Sequence, residues 1–243
     1  MKRNIPDDAH AFVTDVTSGY AQINIQGPRS RELLQSLTTV DLSNEAFPFR
    51  TAREIDIGYA RVLCIRITYL GELGYELFIP TEQATHVYDR LVEAGAAFGL
   101  RHAGLKALAS LRMEKGYRDY GHDIDNTDNA FETGLGFAVA LDKPGGFLGQ
   151  PEAAKQKAAP LKRRLVQVFL KDPQPLMFHA EIVRRDGLPV GYVRAASYGH
   201  TLGGAVGLAM IEGGKEPITP AWLQAGKWEV EIAGKLYPAS VSL

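Results

Sequence analysis

The stretch "GYAQINIQ" (residues 19–26) alternates Tyr20, Gln22, Asn24 and Gln26 with Ala21, Ile23 and Ile25, the period-2 pattern of a strand with one wet face. In "GPRSRELLQSLTT" the period changes. Leu33, Leu34 and Leu37 recur at helical spacing, and Pro28 suits a first helical turn because no donor is needed there. "REIDIGYARVLCIRITY" predicts two strands about Gly58, and "YELFIP" predicts a third after a glycine-rich bend. Thr81 is expected to cap a helix running to about Ala97, with Val87, Tyr88 and Leu91 facing inward. A βαβββα order predicts an α+β fold, a largely antiparallel sheet with helices on one side.

Downstream, "GLKALASLRMEKG" (104–116) predicts another helix, ended by Gly116. The polar stretch "YRDYGHDIDNTDNAFETG" then makes a long loop, and long ordered loops are disproportionately functional. "LDKPGGFLGQPEAAKQKAAPLKRR" combines Pro-Gly-Gly, an alanine-rich helical turn and a polar run, the marks of a boundary. After Leu165 short period-2 runs are separated by Asp-Gly, Gly-Gly and Ala-Gly turns, which predict a small C-terminal antiparallel β-barrel. The expected organisation is an α+β body over 1–145, a linker over 146–164 and the barrel over 165–243.

Composition narrows the classes. A formal net charge of −1 on 243 residues gives no long-range pull on nucleic acid or anionic membrane, so neither is expected as a partner. The basic run Lys162, Arg163, Arg164 reads as a solvated lead-in to a strand. Cys64, the single cysteine, sits between Leu63 and Ile65 and reads as a small core hydrophobe. One cysteine builds no disulfide framework, which suits a reducing compartment. The first residues lack an apolar export segment, and no run approaches the ~20 apolar residues of a membrane span. A cytoplasmic protein is expected.

Two charged residues stand in apolar patterns. In "TYLGELGYELFIP" Glu76 follows the bend directly. A four-residue hairpin loop, Gly71–Gly74, sets Tyr69 across from Glu76, whereas a five-residue loop sets Tyr69 across from Tyr75 and turns Glu76 to the other face. A solvated sheet residue is the third option. Arg112 shares a helical stripe with Leu105, Leu108 and Ala109. An inward guanidinium needs an anion: either an internal carboxylate, Glu132 or Glu114, or an anionic ligand taken by its planar fork. The loop from Asp123 fails as a calcium loop, with Asp128 where the turn glycine belongs and Gly134 where the bidentate Glu belongs. With one histidine and no close second His or Cys it also fails as a zinc site, so no metal is expected. There is no phosphate-binding glycine fingerprint, and neither Ser30 nor Ser110 has a nucleophile-elbow context.

Together "IQGPRSRELLQSL", "TYLGELGYELFIP", "GLKALASLRMEKGYRDYGHDID" and "ETGLGFAV" resemble the tetrahydrofolate-binding aminomethyltransferase family of the glycine cleavage T-protein. "GELGYEL", "SLRMEKGYR" and "DLSNEAFPFRTAREI" are nearer the C-terminal folate module of dimethylglycine and sarcosine dehydrogenases. The likeness extends into the C-terminal segment "DGLPVGYVRAASYGHTLG". It implies that Glu76 accepts the paired N–H donors of the pterin's amino-pyrimidine edge and that Tyr69 belongs to the same pocket, which favours the four-residue register. It implies that Arg112 contacts the glutamate tail of folate. The cofactor implied is tetrahydrofolate, receiving a one-carbon unit from oxidation of an N-methylglycine. FAD belongs to a separate or missing dehydrogenase domain or subunit. The family's upstream stretch, with the aspartate that orients the reacting nitrogen, has no counterpart before Asp15, so the chain is expected to be N-terminally incomplete, and no catalytic residue is assigned. The alternative is a non-catalytic folate-binding or iron–sulfur-assembly protein of the same fold. That branch carries a cysteine where this chain reads Lys115-Gly116-Tyr117-Arg118.

Overall fold

Strand β1 (Tyr20–Gln26) keeps its alternation: Ile25 is buried while Tyr20, Gln22 and Asn24 are exposed. The computed structural model describes residues 2–243, which form two units, one running to His102 and the other Ala103–Leu243. In the first unit β1 joins β2 (Ala52–Ile57), β3 (Ala60–Ile65) and β4 (Gly74–Pro80) in a sheet of order β1-β4-β3-β2, antiparallel throughout. One face, carrying Ile25, Ile55, Val62, Cys64, Tyr75, Leu77 and Ile79, packs on helices α1 (Ser30–Gln35) and α2 (Ala84–Gly95) through Leu33, Leu34, Val87 and Leu91. The α+β fold with helices on one side of an antiparallel sheet is therefore the one expected.

Local details differ from expectation. Helix α1 starts at Ser30, and Pro28 lies in the turn before it. Thr81 does not cap α2; its hydroxyl donates to the Ser18 carbonyl, and a single helical turn, Thr81–Gln83, precedes Ala84. Tyr88 is exposed, with its hydroxyl 2.9 Å from His102 Nε2. Neither predicted hairpin register occurs. Ile65 pairs with Glu76, so residues 66–73 form an eight-residue connection and Tyr69 is on no strand. Arg66 explains the early departure. Its backbone exchanges hydrogen bonds with Arg50 and Thr51, and its guanidinium donates to the Phe47 carbonyl and to Asn44, holding the chain beside β2.

The second unit is a closed six-stranded barrel of order β10-β5-β8-β7-β6-β9. Its strands are β5 (Arg163–Leu170), β6 (Ile182–Arg185), β7 (Leu188–Gly199), β8 (Gly204–Glu212), β9 (Trp228–Ile232) and β10 (Lys235–Ser242). Asp186-Gly187 and Ala233-Gly234 turn the β6–β7 and β9–β10 hairpins with positive φ at both residues, the geometry that suits strand twist. Every residue of β8 from Gly204 to Ile211 is buried. Ala205, Ala209 and Ile211 face the barrel core, while Val206, Leu208 and Met210 meet a second cluster with Met113, Ile124 and Leu165.

That outer cluster is supplied by the segment expected to belong with the first sheet. Helix α3 (Leu105–Glu114) buries Ser110, Arg112 and Met113, and Leu105, read as core, is 81% exposed. The segment 146–164 contains a solvent-facing helix, α4 (Gln150–Ala158), with no buried residue. The run at 162–164 is more than a wet lead-in: Arg163 pairs with buried Asp128 at 3.0 Å, and Arg164 donates to the Phe131 carbonyl. Helix α5 (Pro220–Ala225) is capped by Thr219, whose hydroxyl accepts from the Trp222 amide.

Candidate functional site

In the first unit the sheet face opposite the helices carries polar and charged side chains of all four strands. Partners across antiparallel strands share a face, so Asn24, Glu76, Ile65 and Ala52 form one row across all four strands. Gln22, Phe78, Leu63 and Glu54 form the next. Glu76 therefore has an amide on one side and an apolar wall on the other: half-buried Ile65 and Phe78, and Leu63, 39% exposed. Neither the Asn24 amide nor the Glu76 carboxylate bonds another described residue. The apolar neighbours of Glu76 in sequence, Tyr75 and Leu77, point the other way into the core. The carboxylate is thus on the open face, not buried.

Gln26 lies on the same face opposite Gly74. A Cβ at position 74 would stand 1.7 Å from Gln26 Oε1, so the glycine makes room for this amide to fold across β4. Gln26 Oε1 is buried with no donor, and an unmet buried acceptor costs about 1–3 kcal/mol. The connection carrying Tyr69 enters β4 here: Leu73 O accepts from Gly27 N (2.8 Å) and Ser30 Oγ (3.1 Å), and Gly71 takes φ +73°. Tyr69 is half-buried in that connection. Tyr69 and Glu76 stand out in the sequence, whereas Asn24 and Gln26 are marked there only as the polar half of the "QINIQ" alternation.

In the second unit Arg112 is 5% exposed and meets Asp123, with Nη1 to Oδ2 at 2.5 Å and Nη2 to Oδ1 at 3.3 Å. Nη1 also donates to the Tyr117 carbonyl. The two carboxylates suggested as partners are engaged elsewhere: Glu132 accepts from Asn129 N, and Glu114 accepts from Thr201 N and Leu202 N. Burial pushes the Asp123 carboxyl up, but bonds from Arg112, His122 and the Asp119 amide outweigh it and hold the group below the usual carboxylate range. The Asp128 carboxyl, its side chain out of solvent, is likewise held down against burial by Arg194 (2.5 Å), the Asp125 amide and Arg163. The polar loop after α3 is thus held by internal ion pairs. Beside it lies a polar cavity of about 430 Å³ lined by His122, Thr127, Arg163, His179, Tyr192 and Arg194, among others.

Comparison with known proteins gives these features a family. The GCVT N-terminal domain model matches residues 1–143, and the glycine cleavage T-protein C-terminal barrel domain model matches residues 163–243. The chain belongs to the glycine cleavage T-protein family. It is 44% identical over 232 residues to the 4-methylaminobutanoate oxidase (formaldehyde-forming) of Paenarthrobacter nicotinovorans, covering 96% of this chain and 27% of that protein. It is 38% identical to mitochondrial sarcosine dehydrogenase of Homo sapiens, covering 94% of this chain and 25% of the relative. An aminomethyltransferase of Caldanaerobacter subterraneus is 37% identical over 82% of this chain and 53% of its own length. The chain thus spans about a quarter of the oxidase and dehydrogenase relatives and about half of the aminomethyltransferase. Aminomethyltransferase T of the Bartonella henselae glycine cleavage system shares the fold, with TM-score 0.76 at 22% identity over 92% of this chain and 58% of that one. Among the described residues no helix is long and apolar enough to cross a membrane.

Proposed function

We propose that this chain is a tetrahydrofolate-binding module of an enzyme that oxidises an N-methylated amino acid and passes the one-carbon unit to folate. The observation that carries the reading is Glu76, a carboxylate without a partner among the described residues, set between an amide and an apolar wall on an open sheet face. A 2-amino-4-oxopyrimidine ring fits that setting: its flat faces suit Ile65, Leu63 and Phe78, and its paired N–H donors suit a carboxylate. Folate supplies the nucleophilic nitrogen. The chain's own residues bind the ring, orient it and keep water from it, since a reactive one-carbon electrophile is lost to hydrolysis when wet. A flavin dehydrogenase domain or subunit is the proposed source of that electrophile.

Tyr69 is assigned to the same pocket from the connection that enters β4. Arg112 is assigned to the glutamate tail of folate, a role its guanidinium would fill alongside its ion pair with Asp123. Titration calorimetry with tetrahydrofolate tests the reading: Glu76→Ala should abolish binding. Arg112→Ala should weaken tetrahydrofolate more than a pterin lacking the tail. Unchanged affinity in the Glu76 variant would refute the site.

A further inference from the structure

Within that folate reading, on which this inference rests, one residue beside Glu76 has no assigned part. We propose that Asn24 is the specificity-determining residue that reads the 4-position of the pterin ring. Asn24 and Glu76 are direct cross-strand partners on the open face, a relation that sets Cβ atoms about 4.5–5.5 Å apart. Neither side chain is engaged by another described residue, so both are available to one ligand edge. A 2-amino-4-oxopyrimidine presents, in order, an acceptor (O4), a donor (N3–H) and a donor (the 2-amino group). The complement is donor, acceptor, acceptor. Glu76 supplies two acceptor oxygens and no donor, so it cannot meet O4. The Asn24 Nδ2 amide supplies the missing donor from the adjoining strand. Ile65, the other partner of Glu76, offers no polar atom, so the donor can come only from the β1 side of this row. Gln26, further along β1 on the same face, has its amide folded over Gly74.

The chemistry isolates one position. Asn24→Asp replaces a donor with acceptors only, facing O4 with a like partial charge, while Glu76 still meets N3–H and the 2-amino group. Ligand-observed NMR on the full chain, at millimolar ligand so that weak binding registers, would compare tetrahydrofolate with its 4-thioxo analogue, which keeps N3–H and presents a weaker acceptor at position 4. The expected result is that Asn24→Asp lowers the preference for tetrahydrofolate over the thioxo analogue several-fold, up to about the tenfold worth of one hydrogen bond made or left unmet. Asn24→Ala should weaken tetrahydrofolate more than the thioxo analogue. The ratio between ligands is insensitive to general loss of folding, and Glu76→Ala serves as the control that removes both. Tetrahydrofolate binding that requires Glu76 but keeps its preference in Asn24→Asp would overturn the role of Asn24 alone. No binding of either ligand by the unaltered chain would overturn the folate reading and this inference with it.

Discussion

Arg112 and Asp123 form a two-pronged ion pair at 2.5 and 3.3 Å in which both side chains are almost wholly buried. Removing one partner leaves the other charge without compensation, a loss of about 3–5 kcal/mol, whereas an apolar pair of similar volume is often close to neutral. Arg112→Ala should therefore destabilise the second unit by that amount, and Arg112→Met with Asp123→Leu should cost markedly less than the two single changes summed. Urea unfolding of the four proteins checks it. Simple additivity would show that the pair is not coupled.

Acid should act on the same loop. Asp123 and Asp128 both have carboxyls held below the usual range by arginine and hydrogen-bond partners that outweigh burial. Unfolded, each binds its proton near pH 3.9. Between the folded value and that pH the unfolded chain holds more protons, so stability rises with pH there. Their contribution is complete above about pH 4 and is lost as pH falls through the folded values. Unfolding midpoints measured from pH 6 to 3 should drop steeply below 4, and Asp128→Asn should flatten part of that slope.

Cys64 sits at 0% exposure on the core face of β3, and burial pushes its thiol up to about 12. At pH 8 roughly one thiol in ten thousand is ionised, and the thiolate is the reactive form. A thiol reagent should label Cys64 only when the first unit opens, so the labelling rate should rise with urea. Labelling of the native protein at the rate of a free thiol would contradict the burial.

Much of this was readable from pattern because period and turn chemistry are local. The "QINIQ" alternation, the Gly58 turn and the Asp186-Gly187 hairpin each depend on a few neighbouring residues. The register of β4 was not readable, since it is decided by Arg66 reaching Phe47 and Asn44 far upstream. Arg112 was recognised as needing an anion, but a helical stripe carries no record of which loop folds back over it. Nor does it say that Met113 and Ser110, rather than Leu105, face the barrel. Glu76 stood out because a carboxylate is conspicuous among apolar residues. Asn24 did not, because an amide on the polar side of a strand is ordinary until a partner across the sheet gives it a use.

Gly74 offers a test of whether the open face is built for binding or for stability. Its φ is not in the left-handed region, so alanine brings no backbone strain and removes the extra conformational entropy that glycine carries in the unfolded chain, worth about 0.4–1 kcal/mol. The new Cβ would fall 1.7 Å from Gln26 Oε1 and 2.3 Å from its Cδ, both at the movable end of a side chain. The Gln26 amide should swing out, freeing an oxygen now buried without a donor. Gly74→Ala is therefore expected to leave the fold intact and raise stability by up to about 1 kcal/mol. It should also crowd the face beside Glu76 and weaken pterin binding. Melting and calorimetry on the same variant read both effects. Gain in stability with full binding would mean that the space over Gly74 does not serve the ligand, and loss of folding would mean that Gln26 is held in place more firmly than its missing partner implies.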